Sequence, residues 1–391
     1  MGGRTVTLKV AIIAGEVSGD LLGAGIASEL RRRTGGDVEF VGVGGPALAA
    51  EGLNSLFDFN DIAIMGISAV IAHLPRLLRR IGQTVDALIA ARPDVLVIVD
   101  SPGFTHRVAR RVRAALPDLP VVQYVCPTVW AWKEYRAARM TAFVDHVLAI
   151  LPFEPAAMQR LGGPPTTYVG HRLRTLQQML DVRAVQQARG ENGGERLILL
   201  LPGSRATEVD RLLPVFRETA ERLSRRGGFR FAIPAVPSQE RRIRETVSRW
   251  PVQPDILTGE VAKWQAFARA DAALAAAGTV LFELALAGIP TIAAYKTDFF
   301  IRLMLNRIQT WSAVLPNLVA GYPVFPEFYD EFLRPEMLER MLYRLATDTP
   351  QRAAALAGCG DVYDRMSTDR PANDVAAEIV LRYAQRKSPA R

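Results

Sequence analysis

Short apolar runs that end in turn residues recur along the chain, and segments with helical periodicity fill the intervals between them. The runs in the first half predict strands at residues 9–14, 38–43, 95–99, 121–125 and 147–151. Those in the second half predict strands at residues 197–201, 229–233, 271–275 and 291–295. Continuous apolar runs of this length are typical of parallel strands that are covered on both faces.

Helical periodicity is clearest at residues 22–32 and 74–91, and it dominates residues 334–384. Strands and helices therefore alternate twice along the chain, which predicts an α/β protein with two doubly wound domains. The polar, glycine-rich residues 183–195 are the best candidate linker, so we expect domains at residues 1–182 and 183–391. Since such folds bind ligands at the carboxyl ends of their strands, we expect a ligand in a cleft between the domains.

The composition is that of an ordinary globular protein, with 49% hydrophobic and 23% charged residues in a chain of 391, a length that suits two domains. No apolar run reaches the roughly 18 residues of a spanning helix, and the first predicted strand follows without a signal-peptide profile. The two cysteines do not make a disulfide framework. These features predict a cytoplasmic protein.

Basic residues outnumber acidic ones by 48 to 40, and the net charge of +8 favours an anionic partner. No nucleic-acid-binding motif accompanies this charge, so we expect no nucleic acid partner. Residues 62–80 are apolar and end in a basic cluster, which predicts an amphipathic element on an anionic membrane leaflet. A core helix with a solvated cationic end is the alternative.

The predicted strand at residues 197–201 ends in a turn that carries Gly203, Ser204 and Arg205. Gly203 allows the backbone to approach a ligand, and the guanidinium of Arg205 suits phosphate or carboxylate. Helical pattern resumes at about Glu208, so the turn precedes a helix N-terminus, where N–H groups favour negative charge. The turn predicts an anion site, with an ordinary surface turn as the alternative.

Two further turns have the same construction. Gly278 and Thr279 follow the predicted strand at residues 271–275 and precede a helix that carries Glu283. In the first half, a strand runs into residues 15–20 and then into a helix. Both turns are therefore candidate parts of a ligand site.

Polar side chains cluster in the first of these turns. Glu16, Ser18 and Asp20 are candidate contacts to substrate, and capping of the following helix by Ser18 or Asp20 is the alternative. His171 is a further candidate, although a lone histidine is more often structural.

Asp100 directly follows the predicted strand at residues 95–99, which places its carboxylate at the tip of a buried strand. Such a group can take a proton from a hydroxyl nucleophile, and a helix cap or turn aspartate is the alternative. The chain has no Asp-x-Asp pair and no His or Cys grouping with metal spacing, so we expect neither a metal nor a cofactor. Phosphate charge would then be met by Arg205, lysines and helix N-termini.

An ordered set of motifs resembles the bacterial lipid-A-disaccharide synthase family from about Val10 to about Glu327. The matching segments are 15–20 (GEVSGD), 41–46 (VGVGGP), 65–67 (MGI), 100–104 (DSPGF), 124–132 (YVCPTVWAW), 151–154 (LPFE), 169–171 (VGH), 201–205 (LPGSR) and 315–318 (LPNL). Most of these motifs are weak alone, but nine of them in order are very specific.

The resemblance implies a GT-B glycosyltransferase with two Rossmann-like domains. It would join UDP-2,3-diacylglucosamine to 2,3-diacylglucosamine 1-phosphate and release UDP and a β-1,6-linked disaccharide. The resemblance also implies inversion at the anomeric centre without a metal. The expected location is the inner face of the inner membrane, and a homodimer is one candidate assembly.

The resemblance also assigns roles to residues. Asp100 resembles the general base, and Gly203, Ser204 and Arg205 resemble the turn that contacts the diphosphate. The UDP side of the cleft is expected to be lined by Thr279, Glu283 and Asn317.

The chain departs from the family pattern at three positions. Serine is frequent where Cys126 and Ala277 stand, and glutamine is frequent at Asp330. A diverged paralogue with a different acyl or sugar substrate therefore remains open. Two functions of other classes remain open as well. One is a GT-B enzyme, an epimerase or another glycosyltransferase, acting on a soluble UDP-sugar, and the other is a non-catalytic, membrane-associated nucleotide-sugar binder.

Overall fold

The structure, a computed structural model, describes residues 7–62, 74–189, 194–297 and 309–386. Two compact units divide the chain. The N-terminal unit comprises residues 1–171 and 368–391, and the C-terminal unit comprises residues 172–367. Each unit is built on one parallel sheet.

The sheet of the N-terminal unit has the strand order β3-β2-β1-β4-β5-β6-β7. Its strands are β1 (Leu8–Ala14), β2 (Val38–Val43), β3 (Asn54–Ser55), β4 (Val95–Val99), β5 (Val121–Tyr124), β6 (His146–Ala149) and β7 (Thr166–Tyr168). Every residue of β4 is fully buried, because helices cover both faces of the sheet. The central strands β1 and β4 are parallel neighbours, so their carboxyl ends lie side by side in the middle of one edge of the sheet.

Seven α-helices with described bounds belong to this unit. They are α1 (Val17–Arg33), α2 (Pro46–Ala50), α3 (Leu74–Ala91), α4 (Pro102–Ala115), α5 (Tyr135–Met140), α6 (Glu154–Arg160) and, from the end of the chain, α15 (Ala372–Arg386). Helices α1 and α15 share a core with alternate residues of β1, and α3 packs beside α4. Helix α4 begins directly at the carboxyl end of β4, which is the point where Asp100 lies.

The sheet of the C-terminal unit has the order β10-β9-β8-β11-β12-β13. Its strands are β8 (Arg196–Leu201), β9 (Phe229–Ala235), β10 (Asp255–Thr258), β11 (Ala270–Ala276), β12 (Thr291–Tyr295) and β13 (Glu327–Tyr329). Strand β11 consists almost entirely of alanine and is buried throughout, so neighbouring helices approach it closely.

The helices of this unit are α7 (Gln177–Ala188), α8 (Ala206–Ser224), α9 (Glu240–Val247), α10 (Glu260–Arg269), α11 (Thr279–Ala287), α12 (Leu315–Ala320), α13 (Pro335–Ala346) and α14 (Pro350–Arg365). Helices α8 and α13 pack together over β11 and β12, and their leucines contribute to the core. Among the described residues, no helix is both long and apolar enough to cross a bilayer.

The chain passes from one unit to the other between His171 and Arg172. The expected boundary after residue 182 falls inside α7, and so does the beginning of the expected linker at residues 183–195. In that helix Arg183 donates to Leu286 O at 3.0 Å, and Gln186 donates to Phe267 O at 2.6 Å. These bonds explain why a polar sequence forms a packed helix of the C-terminal unit.

All nine predicted strands are present, with ends that differ by at most a few residues. The four strands that the pattern did not predict are β3, β7, β10 and β13. Each has only two to four residues, and none is fully buried, so no apolar run marks it. The helical pattern of residues 334–384 is confirmed as well, as three helices, but the last of them belongs to the N-terminal unit.

Candidate functional site

Asp100 and Ser101 adopt left-handed backbone conformations, with φ of 48° and 45°, directly after β4. Two successive non-glycine residues in this region cost free energy, and such strain persists where surrounding contacts fix it. The backbone N–H of Asp100 donates to Tyr124 O at 3.0 Å, and the hydroxyl of Thr105 donates to Asp100 O at 2.7 Å. The Asp100 carboxylate accepts from the N–H of Ser101 at 2.7 Å.

The structure brings Glu16 to the same place. The hydroxyl of Ser101 donates to Glu16 Oε1 at 3.4 Å. Gly15 makes this approach feasible, because a Cβ there would lie 2.5 Å from the Ser101 side chain. Burial raises the pKa of Asp100, and burial followed by the charge of Asp100 raises the pKa of Glu16. The side chains of Glu16 and Asp100, both with raised pKa values, thus lie close together where β1 and β4 end.

The side chain of Asp20, a predicted substrate contact, bonds to backbone groups of its own unit, and its role toward substrate stays a prediction. Its side chain is 2% exposed and accepts hydrogen bonds from the backbone N–H groups of Gly45, Ala47 and Leu48. The carboxylate therefore fixes the start of α2. Neither Ser18 nor Asp20 caps α1, whose N-cap is Glu16 without a side-chain bond.

Ser18 and His171 occupy different surroundings from Asp20. Ser18 is exposed in the first turn of α1, two residues after Glu16. His171 is half-buried and is the last residue of the N-terminal unit before the crossing.

In the C-terminal unit, the turn after β8 donates hydrogen bonds to the carboxylate of Glu208. Glu208 Oε2 accepts from the backbone N–H groups of Ser204 and Arg205 at 3.2 and 3.3 Å, and Glu208 Oε1 lies 2.7 Å from Arg205 Nη1. Gly203 has φ of 108°, and a Cβ there would lie 2.5 Å from Glu208 Oε2. The turn thus presents donors to an anion at the start of α8. Sequence reasoning missed Glu208, although its place three residues after Arg205 is typical of a capping box.

The turn after β11 leaves room for a ligand. Gly278 and Thr279 are exposed at the start of α11, and a Cβ on Gly278 would meet no atom within 4 Å. One turn into the helix, Glu283 lies 3.0 Å from Lys263 Nζ. Burial raises the pKa of Glu283, and Lys263 partly opposes that effect.

Asn317 is fully buried and uses all of its polar groups within the protein. Its Nδ2 donates to Phe325 O and Glu327 Oε1, and its Oδ1 accepts from the N–H groups of Val324 and Phe325, all within 3.0 Å. That Asn317 lines the UDP side stays a prediction. The residue organises the segment between α12 and β13.

A cavity of about 680 Å³ opens at the carboxyl ends of β11, β12 and β13, and we call it the β11–β13 pocket. Its lining residues are Glu208, Arg211, Leu212, Ala276, Ala277, Tyr295, Lys296, Thr297, Thr310, Trp311, Ser312, Ala313, Glu327 and Tyr329. Two lining residues connect to the glycine turns, because Glu208 bonds to the turn after β8 and Ala277 directly precedes Gly278. Within the described part of the chain, no group of three His, Cys, Asp or Glu side chains is arranged to hold a metal.

The sequence matches a family model described as lipid-A-disaccharide synthetase over residues 10–380. A lipid-A-disaccharide synthase of Bradyrhizobium diazoefficiens is 45% identical over 384 residues, which cover 97% of this chain and 98% of that relative. A lipid-A-disaccharide synthase of Nitrobacter winogradskyi is 47% identical over 387 residues, covering 98% and 97% of the two chains.

Solved structures share the fold at low sequence identity. MurG of Acinetobacter baumannii superposes with a TM-score of 0.58 at 14% identity, covering 96% of this chain and 99% of that one. The UDP-GlcNAc 2-epimerase of Neisseria meningitidis, bound to UDP-GlcNAc, gives 0.59 at 13% identity, covering 97% and 100%. At these identities the likeness shows the fold alone, which is GT-B.

Proposed function

The chain belongs to the lipid-A-disaccharide synthase family, and we propose in detail how its residues carry out that family's reaction. The chain is a glycosyltransferase of lipid A biosynthesis that makes the lipid A disaccharide. The donor is UDP-2,3-diacylglucosamine and the acceptor is 2,3-diacylglucosamine 1-phosphate. The products are the β-1,6-linked disaccharide 1-phosphate and UDP. The observation that carries this conclusion is the family match over residues 10–380.

Asp100 is the proposed general base. The acceptor hydroxyl oxygen attacks the anomeric carbon of the donor, its proton passes to the Asp100 carboxylate, and the bond from that carbon to the diphosphate oxygen breaks. Burial supports this role because it raises the pKa of Asp100 and makes the carboxylate a stronger proton acceptor. The fixed left-handed backbone supports it too, since it aims the carboxylate in one direction.

Glu16 is proposed to bind the acceptor beside the base. Its carboxyl group reaches the Ser101 hydroxyl, and its pKa is raised in part by the charge of Asp100. Ser18 and His171 are kept as further substrate contacts, supported by exposure for Ser18 and by the family motif for His171.

The diphosphate is proposed to bind the turn formed by Gly203, Ser204 and Arg205. Support comes from Glu208, whose carboxylate already receives the N–H groups and the guanidinium that an anion would use. When the leaving UDP develops charge, these donors and the start of α8 stabilise it. Gly278 and Thr279, at the exposed turn after β11, and Glu283, one helical turn further on, are proposed to contact the rest of the UDP moiety.

We further propose that the protein acts at the inner face of the inner membrane. Residues 63–73 of the expected membrane element lie outside the described residues. In the described part, Leu74 and Leu78 are 39% and 44% exposed, and Arg76 and Arg79 are exposed beside them. Asp61 forms ion pairs with Arg80 and, at 3.5 Å, with Arg76.

A UDP-release assay with the two acylated glucosamine substrates tests this function. The wild type should release UDP only when both substrates are present, and Asp100→Asn should lower turnover by about a hundredfold or more with nearly intact UDP affinity. Near-normal turnover of the variant would refute the base assignment. Equal rates with glucosamine substrates that lack acyl chains would instead support an enzyme for soluble UDP-sugars.

A further inference from the structure

We infer that the β11–β13 pocket binds an acyl chain of the donor sugar. This inference rests on the proposed function, which supplies a donor with two such chains. It assigns a ligand class to a cavity that lies beside the nucleotide-binding turns. The argument starts from the chemistry of the pocket wall.

Several polar side chains of the wall already bond within the protein. Glu208 binds Arg205, and Thr310 Oγ1 donates to Ser312 O at 2.9 Å. Thr297 binds the carboxylate of Asp330, and the Ser312 hydroxyl binds Glu327. These groups offer few hydrogen bonds to a sugar or a base, and a polar ligand would lose its bonds to water on entry.

The wall also carries two cationic side chains, Arg211 and Lys296, and the remaining lining residues are apolar or aromatic. Ala276, Ala277 and Ala313 contribute methyl groups and leave the space open, and two tyrosine rings, Tyr295 and Tyr329, stack with centroids 5.6 Å apart. Hydrocarbon is the ligand chemistry that such a surface favours.

Apolar surface also faces solvent at the mouth of the pocket. Trp311 is 58% exposed, and Tyr329 is 41% exposed. Phe332 makes edge contact with Tyr329 and is 53% exposed. Clustered exposed aromatic rings mark a binding surface that a ligand or partner covers.

The position of the pocket indicates which part of the donor would bind there. Ala277 lines the pocket and directly precedes Gly278, while Glu208 lines it and occupies the anion position of the phosphate turn. A ligand whose diphosphate bound that turn would hold its sugar at the pocket entrance. An acyl chain attached to the sugar could then enter the pocket within the same unit.

The test fills the pocket from one side. Ala313→Trp is assayed with donors that carry long or very short acyl chains, and UDP affinity is measured by calorimetry. We expect kcat/KM for the long-chain donor to fall about tenfold or more, since exclusion of about two methylene groups forfeits that factor. The short-chain donor and UDP should be unaffected. Ala354→Trp, on the exposed surface of α14 in the same unit, is the matched control and should behave as wild type.

Trp311→Ala provides a second variant that removes apolar wall rather than filling the cavity. It should also weaken the long-chain donor selectively, by several-fold. Equal kcat/KM values for the long-chain donor in wild type and both variants would overturn the inference. A parallel loss of UDP affinity would overturn it too, because the pocket would then hold the nucleotide. Failure of the wild type to use any acylated donor would refute the proposed function itself, a result that no pocket variant produces.

Discussion

Glu208 occupies the place that the diphosphate is proposed to take, so the two anions should compete. Its carboxylate accepts from the N–H groups of Ser204 and Arg205 and pairs with the Arg205 guanidinium. UDP can use these donors only after the carboxylate has moved. Substitution of Glu208 by glutamine removes the negative charge but keeps a side chain that can still close a capping box. Glu208→Gln should therefore bind UDP more tightly without a large loss of stability.

The size of this effect follows from the contacts. The Arg205 side chain is 66% exposed, and an exposed ion pair contributes about 0.2–1 kcal/mol. The two N–H bonds are long, at 3.2 and 3.3 Å, and together add at most about 1 kcal/mol. Removal of the competing charge should lower the Kd of UDP by about fivefold, which corresponds to about 1 kcal/mol.

Isothermal calorimetry with UDP measures this difference directly. Glu218→Gln is the matched control, because Glu218 lies about 15 Å further along α8 and pairs with Arg222 at 2.9 Å. The control should bind UDP as the wild type does. Unchanged or weaker binding in Glu208→Gln would show that the carboxylate and the diphosphate do not share a site.

Three other predictions concern different parts of the molecule. Arg205→Ala should weaken UDP binding in calorimetry by about 2–3 kcal/mol, and Arg205→Lys should restore only part of it, because lysine lacks the planar set of donors. Burial raises the pKa of Glu154 from 4.5 to about 8, so the folded state binds this proton more tightly than the unfolded chain. The contribution of Glu154 to the free energy of unfolding should thus be fully present below about pH 4.5 and be lost as the pH rises through about 8. Thermal melts should show this decline, and Glu154→Gln should flatten it. Arg76→Glu with Arg79→Glu should reduce co-sedimentation with anionic vesicles in low salt, by about 1 kcal/mol or more per residue, and turnover of short-chain substrates should persist.

Much of the fold could be predicted because buried parallel strands appear in the sequence as short, continuous apolar runs. Residues 95–99 and 197–201 are continuous apolar runs, and each is followed by a short turn and then a helix. The place of the turn could be predicted for the same reason, since Gly203 and Arg205 are two positions apart in the chain and the end of a strand fixes their place in the fold.

Contacts between distant residues could not be predicted in this way. Helix α15 joins the N-terminal unit through Arg33, which binds Asp374, a partner 341 positions away. Asn317 lies in a motif that resembles a ligand contact, yet its amide is taken up by backbone groups of residues 324–325 that no local pattern identifies. Asp20 and Glu16 lie four residues apart, yet Asp20 bonds to the backbone at the start of α2 and Glu16 bonds to Ser101, and both partners are distant in the sequence.

A chain of buried polar groups on the neighbouring strand holds the backbone of Asp100. The Gln123 amide nitrogen donates to the carbonyl oxygens of Tyr124 and Val125 at 3.1 Å, so its Oε1 is the acceptor and His106 Nε2 carries the proton that it receives. Tyr124 O also accepts from the N–H of Asp100. Burial lowers the pKa of His106 to about 4, so the ring stays neutral and this arrangement does not change across the working pH range. The left-handed conformation of Asp100 is thus fixed by the protein itself, and for the proposed general base this means that orientation would cost little at the moment of proton transfer.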